Sequence, residues 1–199
     1  MKDYFEHKSK SWDMNSKRVK NAKAIGDLIV KNINLQQNFT IMDFGAGTGL
    51  LTYFIAPHVS KITAVDNSPS MLLEFKNKQG EFKCKTFMVE KDLTRENIDE
   101  KFDGIISSMT IHHIKDIEKL FEKFYSILTY NGFIAIADLD SEDGSFHSDN
   151  TGVFHYGFKR ELLEEIAEKV GFKEIEFELA STIKKPQSDF SVFLMTAIK

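Results

Sequence analysis

The sequence predicts a single doubly wound α/β domain: a seven-stranded sheet, parallel except for an antiparallel last strand, covered by helices, with one added amino-terminal helix. Three observations predict it. From residue 40 onward, short β-rich runs alternate with stretches of helical apolar periodicity. The runs are continuously apolar, as befits parallel strands buried on both faces. Only residues 181–188 separate the last two runs, too little chain for a crossover helix, so these strands pair as an antiparallel hairpin. A chain of 199 residues is long enough for one domain with a sizeable core and too short for two ordinary domains.

In chain order, Val19, Ala22, Ile25, Ile29 and Ile33 recur every three or four residues and mark one apolar stripe on a first helix. Strands follow at 40–44 and 62–65 with a helix over 50–56 between them. A short helix over 71–77 leads to a third strand at 86–89, and a fourth follows at 104–107. A helix over 117–128 precedes the fifth strand at 133–137, and a last helix over 159–170 precedes the hairpin strands 174–180 and 189–198. Pro57, Pro69 and Pro186 each fall at an element boundary. There is no internal repeat or linker, so the whole of 1–199 reads as one unit, with 1–35 as an amino-terminal arm and 36–199 as the core.

Charge narrows the partners. Lys+Arg number 26 against 30 Asp+Glu, a net charge of −4, which does not favour nucleic acid. The balance is uneven: residues 1–35 hold eight basic against four acidic residues, and the remainder carries −8. This basic arm suits either a solvated helix face or an anionic substrate. The single Cys84 cannot close an internal disulfide, and there is neither a signal segment nor an apolar run of membrane-span length. The expectation is a reducing cytoplasm and no membrane span; nothing in the sequence sets the oligomeric state.

The strongest local signal is Ile41-Met42-Asp43-Phe44-Gly45-Ala46-Gly47-Thr48-Gly49, a strand entering a glycine turn and then a helix. Glycines permit positive φ and close backbone approach, and a helix start offers unpaired N–H groups. Asp66 closes the second strand about 20 residues on, where a carboxylate accepts both hydroxyls of a ribose. A nucleoside is implied. Asp43, two residues before Gly45, is misplaced for a pyrophosphate and well placed for a cationic group. The glycine spacing is one residue shorter than the dinucleotide fingerprint, and the terminal hairpin is foreign to an all-parallel nicotinamide domain.

With these motifs the sequence resembles the class I S-adenosylmethionine-dependent methyltransferases, of Rossmann-like fold, and more closely the small stand-alone enzymes of the ubiquinone/menaquinone-biosynthesis type. The resemblance also rests on Asp66-Asn67-Ser68 with Met71 following, on Lys91-Asp92-Leu93, and on the run 102–108 with Ile111-His112-His113 behind it. Residues 128–133 are similar to the family's Leu-x-Pro-Gly-Gly turn, with Tyr130 and Asn131 replacing the proline and first glycine; Asn tolerates positive φ, so only the turn is affected. The resemblance implies S-adenosyl-L-methionine as cofactor. Gly45, Ala46, Gly47, Thr48 and Gly49 would line its methionine moiety, with Asp43 near the amino group and the Ser107 carbonyl reaching the same ammonium. Asp66 would hold the ribose, with Asn67, Ser68 and Met71 beside it. Asp92 would face the adenine amino group and the Leu93 backbone a ring nitrogen.

Methyl transfer from a sulfonium relies on proximity and orientation, and a base is required only for a protonated acceptor. His112 and His113, beyond the fourth strand at the sheet's open carboxyl edge, are the candidates, His112 before His113. The acidic, histidine-bearing loop after the fifth strand offers Asp138, Asp140, His147 and His155 as substrate-side residues, or as a merely solvated loop. No metal is expected: Asp143 stands where a calcium loop needs glycine, and no zinc spacing occurs. In similar enzymes a segment like 4–18 covers the cofactor, which would set Phe5 and Trp12 over the site. The expected activity is methyl transfer to a small-molecule acceptor. The rivals are a noncatalytic S-adenosylmethionine-binding protein and an NAD-dependent oxidoreductase.

Overall fold

The computed structural model describes residue 3 and residues 5–199. Strands β1 (Thr40–Phe44), β2 (Lys61–Asp66), β3 (Lys85–Glu90), β4 (Phe102–Ser108), β5 (Leu128–Leu139), β6 (Lys173–Lys184) and β7 (Asp189–Ile198) form one sheet in the order β3-β2-β1-β4-β5-β7-β6. Five α-helices connect them: α1 (Ser16–Asn32), α2 (Leu50–Ile55), α3 (Pro69–Asn77), α4 (Ile117–Ile127) and α5 (Arg160–Val170). Pairing is parallel from β3 through β5, and β7 runs antiparallel to both neighbours, β5 and β6. The predicted sheet, including its antiparallel last strand, is the one observed. Among the described residues no helix is long and apolar enough to cross a membrane.

The two-residue period of a strand explains the unbroken apolar runs, because successive side chains enter opposite cores. Met42 and Phe44 of β1 join Phe121 and Phe124 of α4 and Leu163 of α5 on one face. Ile41, just before them and facing the other side, joins Ile25 and Ile29 of α1 and Leu51 and Ile55 of α2. Phe121 and Phe124 are fully buried, and each large apolar side chain so placed contributes about 1.5–3 kcal/mol. Central β1 therefore has both faces covered and leaves only its carboxyl end open.

Two elements differ from the sequence reading. α1 starts three residues before its apolar stripe, because the Asn15 side chain caps it, accepting the N–H groups of Lys17 at 3.0 Å and Arg18 at 3.3 Å. β5 begins at Leu128 rather than 133, with a register shift against β4 and Asn131 at φ 59°. Asn131 thus adopts the left-handed turn that a glycine would otherwise supply.

β1 pairs with β2 on one side and β4 on the other. The connections diverge between the neighbouring strands β1 and β4, whose chains leave through α2 to β2 and through α4 to β5 on the opposite side, and this divergence forms the crevice in which ligands of open α/β sheets bind. The glycine turn, the Asp66 strand end and the segment after β4 all emerge there.

Candidate active site

β1 runs into α2 through Gly45 at φ 68° and Gly47 at φ 55°. A Cβ on Gly45 would lie 2.2 Å from Thr110 Cγ2, so only glycine fits where this loop meets the segment after β4. The loop is anchored to β2: the N–H groups of Gly45 and Ala46 donate to the Val65 carbonyl at 2.8 and 3.3 Å. The Gly47 N–H donates to one Asp66 oxygen at 2.8 Å, and the Ser68 N–H to the other at 2.9 Å. These bonds fix the Asp66 carboxylate at the mouth of the crevice. Burial pushes its pKa up, against the Ser68 and Gly47 bonds that favour its charge.

Asp43 lies fully buried in β1 and accepts the Thr52 hydroxyl of α2 at 2.5 Å. Burial, only partly offset by Thr52 and reinforced by the Asp66 charge, pushes its pKa up to about 7. Two neighbouring carboxylates held in a desolvated pocket are complementary to a ligand that brings a cation to one and hydroxyl donors to the other.

Around them opens a cleft of about 1880 Å³. Pockets for one small molecule span about 300–1,000 Å³, so the space suits a cofactor and an acceptor together. Asp43, Gly45, Ala46, Gly47 and Thr48 line it from the glycine loop, and Asp66, Asn67, Met71, Asp92 and Leu93 line it from the ends of β2 and β3. The structure thus brings these ten predicted cofactor residues to one cavity. Three others stand behind it. Gly49 packs against the rings of Phe75 and Phe82, Ser68 caps α3 by accepting the Met71 N–H, and the Ser107 hydroxyl donates to the Phe44 carbonyl at 2.8 Å. The wall near Ser107 is instead formed by Ser108, Met109 and Thr110.

The histidines separate by role. His112 is buried, with its Nδ1 2.7 Å from one Asp138 oxygen and its backbone N–H donating to the other at 3.2 Å. The Leu139 N–H also donates to Asp138, at 2.8 Å. With N–H groups converging on it, Asp138 serves as acceptor and holds His112 in the Nδ1–H tautomer, leaving the Nε2 lone pair free. That Nε2 has no hydrogen-bond partner among the described residues, and His112 lines the cleft. His113 has its Nδ1 2.8 Å from the Gly152 carbonyl and its ring edge-on to Phe5. Burial, with the neighbouring His112, holds its pKa below the ordinary histidine value.

The His147 ring lies tilted, 4.9 Å from the His112 ring, and its buried Nε2 has no partner among the described residues. Burial and the charges of His112, His113 and Lys185 push its pKa down to about 4, so this ring is neutral at physiological pH. His155 lines the cleft while its Nε2 donates to the Ile114 carbonyl at 2.9 Å. Asp138 and Asp140 do not face an acceptor as the sequence suggests. Asp138 is spent behind His112, and Asp140 forms a bidentate pair with Arg160 at 2.7 and 2.8 Å. Among the described residues no cluster of histidine, cysteine and carboxylate side chains is arranged to hold a metal ion.

The amino-terminal segment lies across the cleft. Asp3 accepts the Ser68 hydroxyl at 2.8 Å and the Ser70 N–H at 3.1 Å, pinning the segment to the start of α3. Asp13 accepts the Thr48 hydroxyl at 2.5 Å and pairs with Lys78. Trp12 stacks under the Arg18 guanidinium at 3.7 Å and meets Phe5 edge-on. Tyr4 lies outside the described residues. No motif foretold Asp3 or Asp13, because their partners are fixed only by the fold.

The sheet order and the ligand crevice at the end of β1 define the class: a doubly wound α/β protein built to take a nucleoside-type ligand at its carboxyl edge. Residues 42–134 match the family model described as a methyltransferase domain. An uncharacterized methyltransferase of Schizosaccharomyces pombe is 31% identical over 64% of this chain and 51% of its own length. A malonyl-acyl-carrier-protein O-methyltransferase of Ilyobacter polytropus is 36% identical over 51% of this chain and 38% of its own. The chain spans about half or less of the length of these curated relatives. Haemonchus contortus phosphoethanolamine N-methyltransferase 2, solved with S-adenosyl-L-methionine, shares the fold at 19% identity and TM-score 0.69, over 96% of this chain and 59% of that one. S-adenosylmethionine is the cofactor of the family. The likeness to ubiquinone-type enzymes is not carried by these relatives.

Proposed function

We propose that this protein binds S-adenosylmethionine in the glycine-loop half of the cleft and transfers its methyl group to a small-molecule acceptor in the other half. The observation that carries the reading is the His112–Asp138 pair: an imidazole that lines the cleft, oriented through Nδ1, with a buried Nε2 bonded to nothing among the described residues. A noncatalytic cofactor-binding domain has no need of such a group.

S-adenosylmethionine, when bound, supplies a methyl group with a neutral thioether as leaving group. The work of this chain is to hold, orient and dehydrate. Asp43 takes the ammonium of the amino acid moiety, and Asp66 accepts the ribose hydroxyls through lone pairs that Gly47 and Ser68 leave free. Asp92 and Leu93 flank the base. His112 Nε2 would take the proton of a protonated acceptor oxygen or nitrogen as that atom accepts the methyl group. Asp138 stabilises the resulting imidazolium. The arm acts as a lid, with Asp3 and Asp13 as its two latches and Trp12 and Phe5 excluding water.

The test is methyl transfer from radiolabelled S-adenosylmethionine to a panel of small acids, alcohols and amines, comparing wild type with His112→Asn. The reading predicts a labelled acceptor and a loss of about 10²–10⁴-fold in the variant, with S-adenosylhomocysteine affinity retained. Equal turnover in both proteins would remove His112 from the reaction.

A further inference from the structure

The acceptor half of the cleft is basic at its far end. Arg18 and Lys17 enter from the first turn of α1, and Lys185 enters from the turn between β6 and β7. Arg18 lies on the Trp12 ring, half-buried, with Asp13 as its nearby counter-charge and no ion pair of its own among the described residues. The Lys185 ammonium lies 3.8 Å over the Phe146 ring and donates to the Phe146 carbonyl. Lys17 donates to the Lys184 carbonyl at 2.8 Å, which keeps it beside Lys185. Of the nearby carboxylates, Asp13 is engaged with Thr48 and Lys78, while Glu142 accepts the N–H groups of Gly144 and Phe146 through one oxygen and keeps the other buried without a partner among the described residues.

Three cations gathered from two elements repel one another, and burial, partly offset by the Glu142 charge and reinforced by Lys17 and Arg18, holds the Lys185 pKa below the ordinary lysine value. Three cations against the Glu142 carboxylate leave an excess of positive charge that an anion between them would stabilise. The cluster is contiguous with the reaction centre: Phe146, which carries Lys185, adjoins His147, whose ring lies 4.9 Å from His112.

Resting on the proposed methyltransferase reading, we infer that the acceptor is a small organic anion, a carboxylate or a phosphate monoester, whose charged group is seated between Arg18 and Lys185 while its nucleophilic atom meets His112. Arg18 gives a planar two-point fork and Lys185 a point charge, a combination that fits either head group. The cluster therefore determines specificity: it selects acceptors by charge and sets their distance from His112.

The test is calorimetric titration of the full chain, saturated with S-adenosylhomocysteine in physiological chloride, with malonate and with methyl phosphate. Saturable binding of at least one probe is expected, weakened tenfold or more by Arg18→Gln and by Lys185→Gln. Lys20→Gln, on the exposed face of α1, changes it less than twofold; a tenfold loss corresponds to about 1.4 kcal/mol. The tighter probe identifies the head group. Absence of binding by both probes, or an equal effect of Lys20→Gln, overturns the inference. Because Arg18→Gln also removes the Trp12 stack, Lys185→Gln decides if the former is poorly folded. Failure of S-adenosylhomocysteine to bind wild type would remove the methyltransferase reading, and the same probe titrations on the free chain still decide the anion site.

Discussion

The Asp138 carboxylate holds His112 at two points, Nδ1 at 2.7 Å and the backbone N–H at 3.2 Å, across 26 residues of sequence. The end of β5 thereby sets both the position of the chain after β4 and the tautomer of its imidazole. Asp138→Asn replaces an acceptor-only side chain with one that also presents donors to Nδ1. The expected outcome is a shift of the His112 tautomer, read in the ring nitrogen spectrum, with methyl transfer lowered by about 10²–10⁴-fold. An unaltered spectrum would remove Asp138 as the orienting group.

Asp138→Ala also tests the packing role. It leaves the buried N–H groups of His112 and Leu139 without an acceptor. At about 1–3 kcal/mol for each of the three unsatisfied donors, stability falls by about 3 kcal/mol or more, visible as a lower midpoint in urea. A midpoint equal to wild type would mean that the site relaxes freely around the loss.

Asp43 makes cofactor affinity depend on pH. Its folded pKa of about 7 lies above the ordinary 3.8. Between those values the folded chain holds a proton that the unfolded chain has released, so the contribution of Asp43 to stability declines as pH rises through this window. A ligand ammonium favours the ionised form and therefore displaces the proton. S-adenosylhomocysteine should bind more tightly at pH 8 than at pH 6 and release protons near pH 6.5, as seen by calorimetry in buffers of different ionisation enthalpy. Asp43→Asn should abolish that release, and a release equal to wild type would assign it to another group.

The arm can be followed through Trp12, the single tryptophan of the chain. Asp13→Ala removes the contacts to Thr48 and Lys78. Trp12 emission should shift to the red as the ring leaves Arg18 and Phe5, and S-adenosylhomocysteine should dissociate faster. Removal of residues 1–14 should have the larger effect. Dissociation at the wild-type rate in both proteins would sink the lid.

The strands were legible because each side of this sheet is buried: Ile41 and Met42, or Ile105 and Ile106, face opposite cores, and such runs have few other uses. The glycine loop was legible because the positive φ of Gly45 and Gly47 leaves so little choice of residue. Side-chain partnerships across long separations were not. Asp138 reads as one more acidic loop residue until β5 carries it under His112, and Asp140 reads the same until Arg160 meets it. The cluster of Arg18 and Lys185 joins α1 to the terminal hairpin, and no local pattern marks it. Ser107 belongs to the motif, yet its hydroxyl serves β1 rather than the cleft.

The most direct test of the central claim is calorimetric titration with S-adenosylmethionine, S-adenosylhomocysteine and NAD, on wild type and on Asp66→Ala. The account predicts micromolar binding of the first two and none of NAD, with Asp66→Ala weakening both by about 100-fold as two hydrogen bonds to a charged group are lost. Binding of NAD alone, or affinities unchanged by Asp66→Ala, would contradict it.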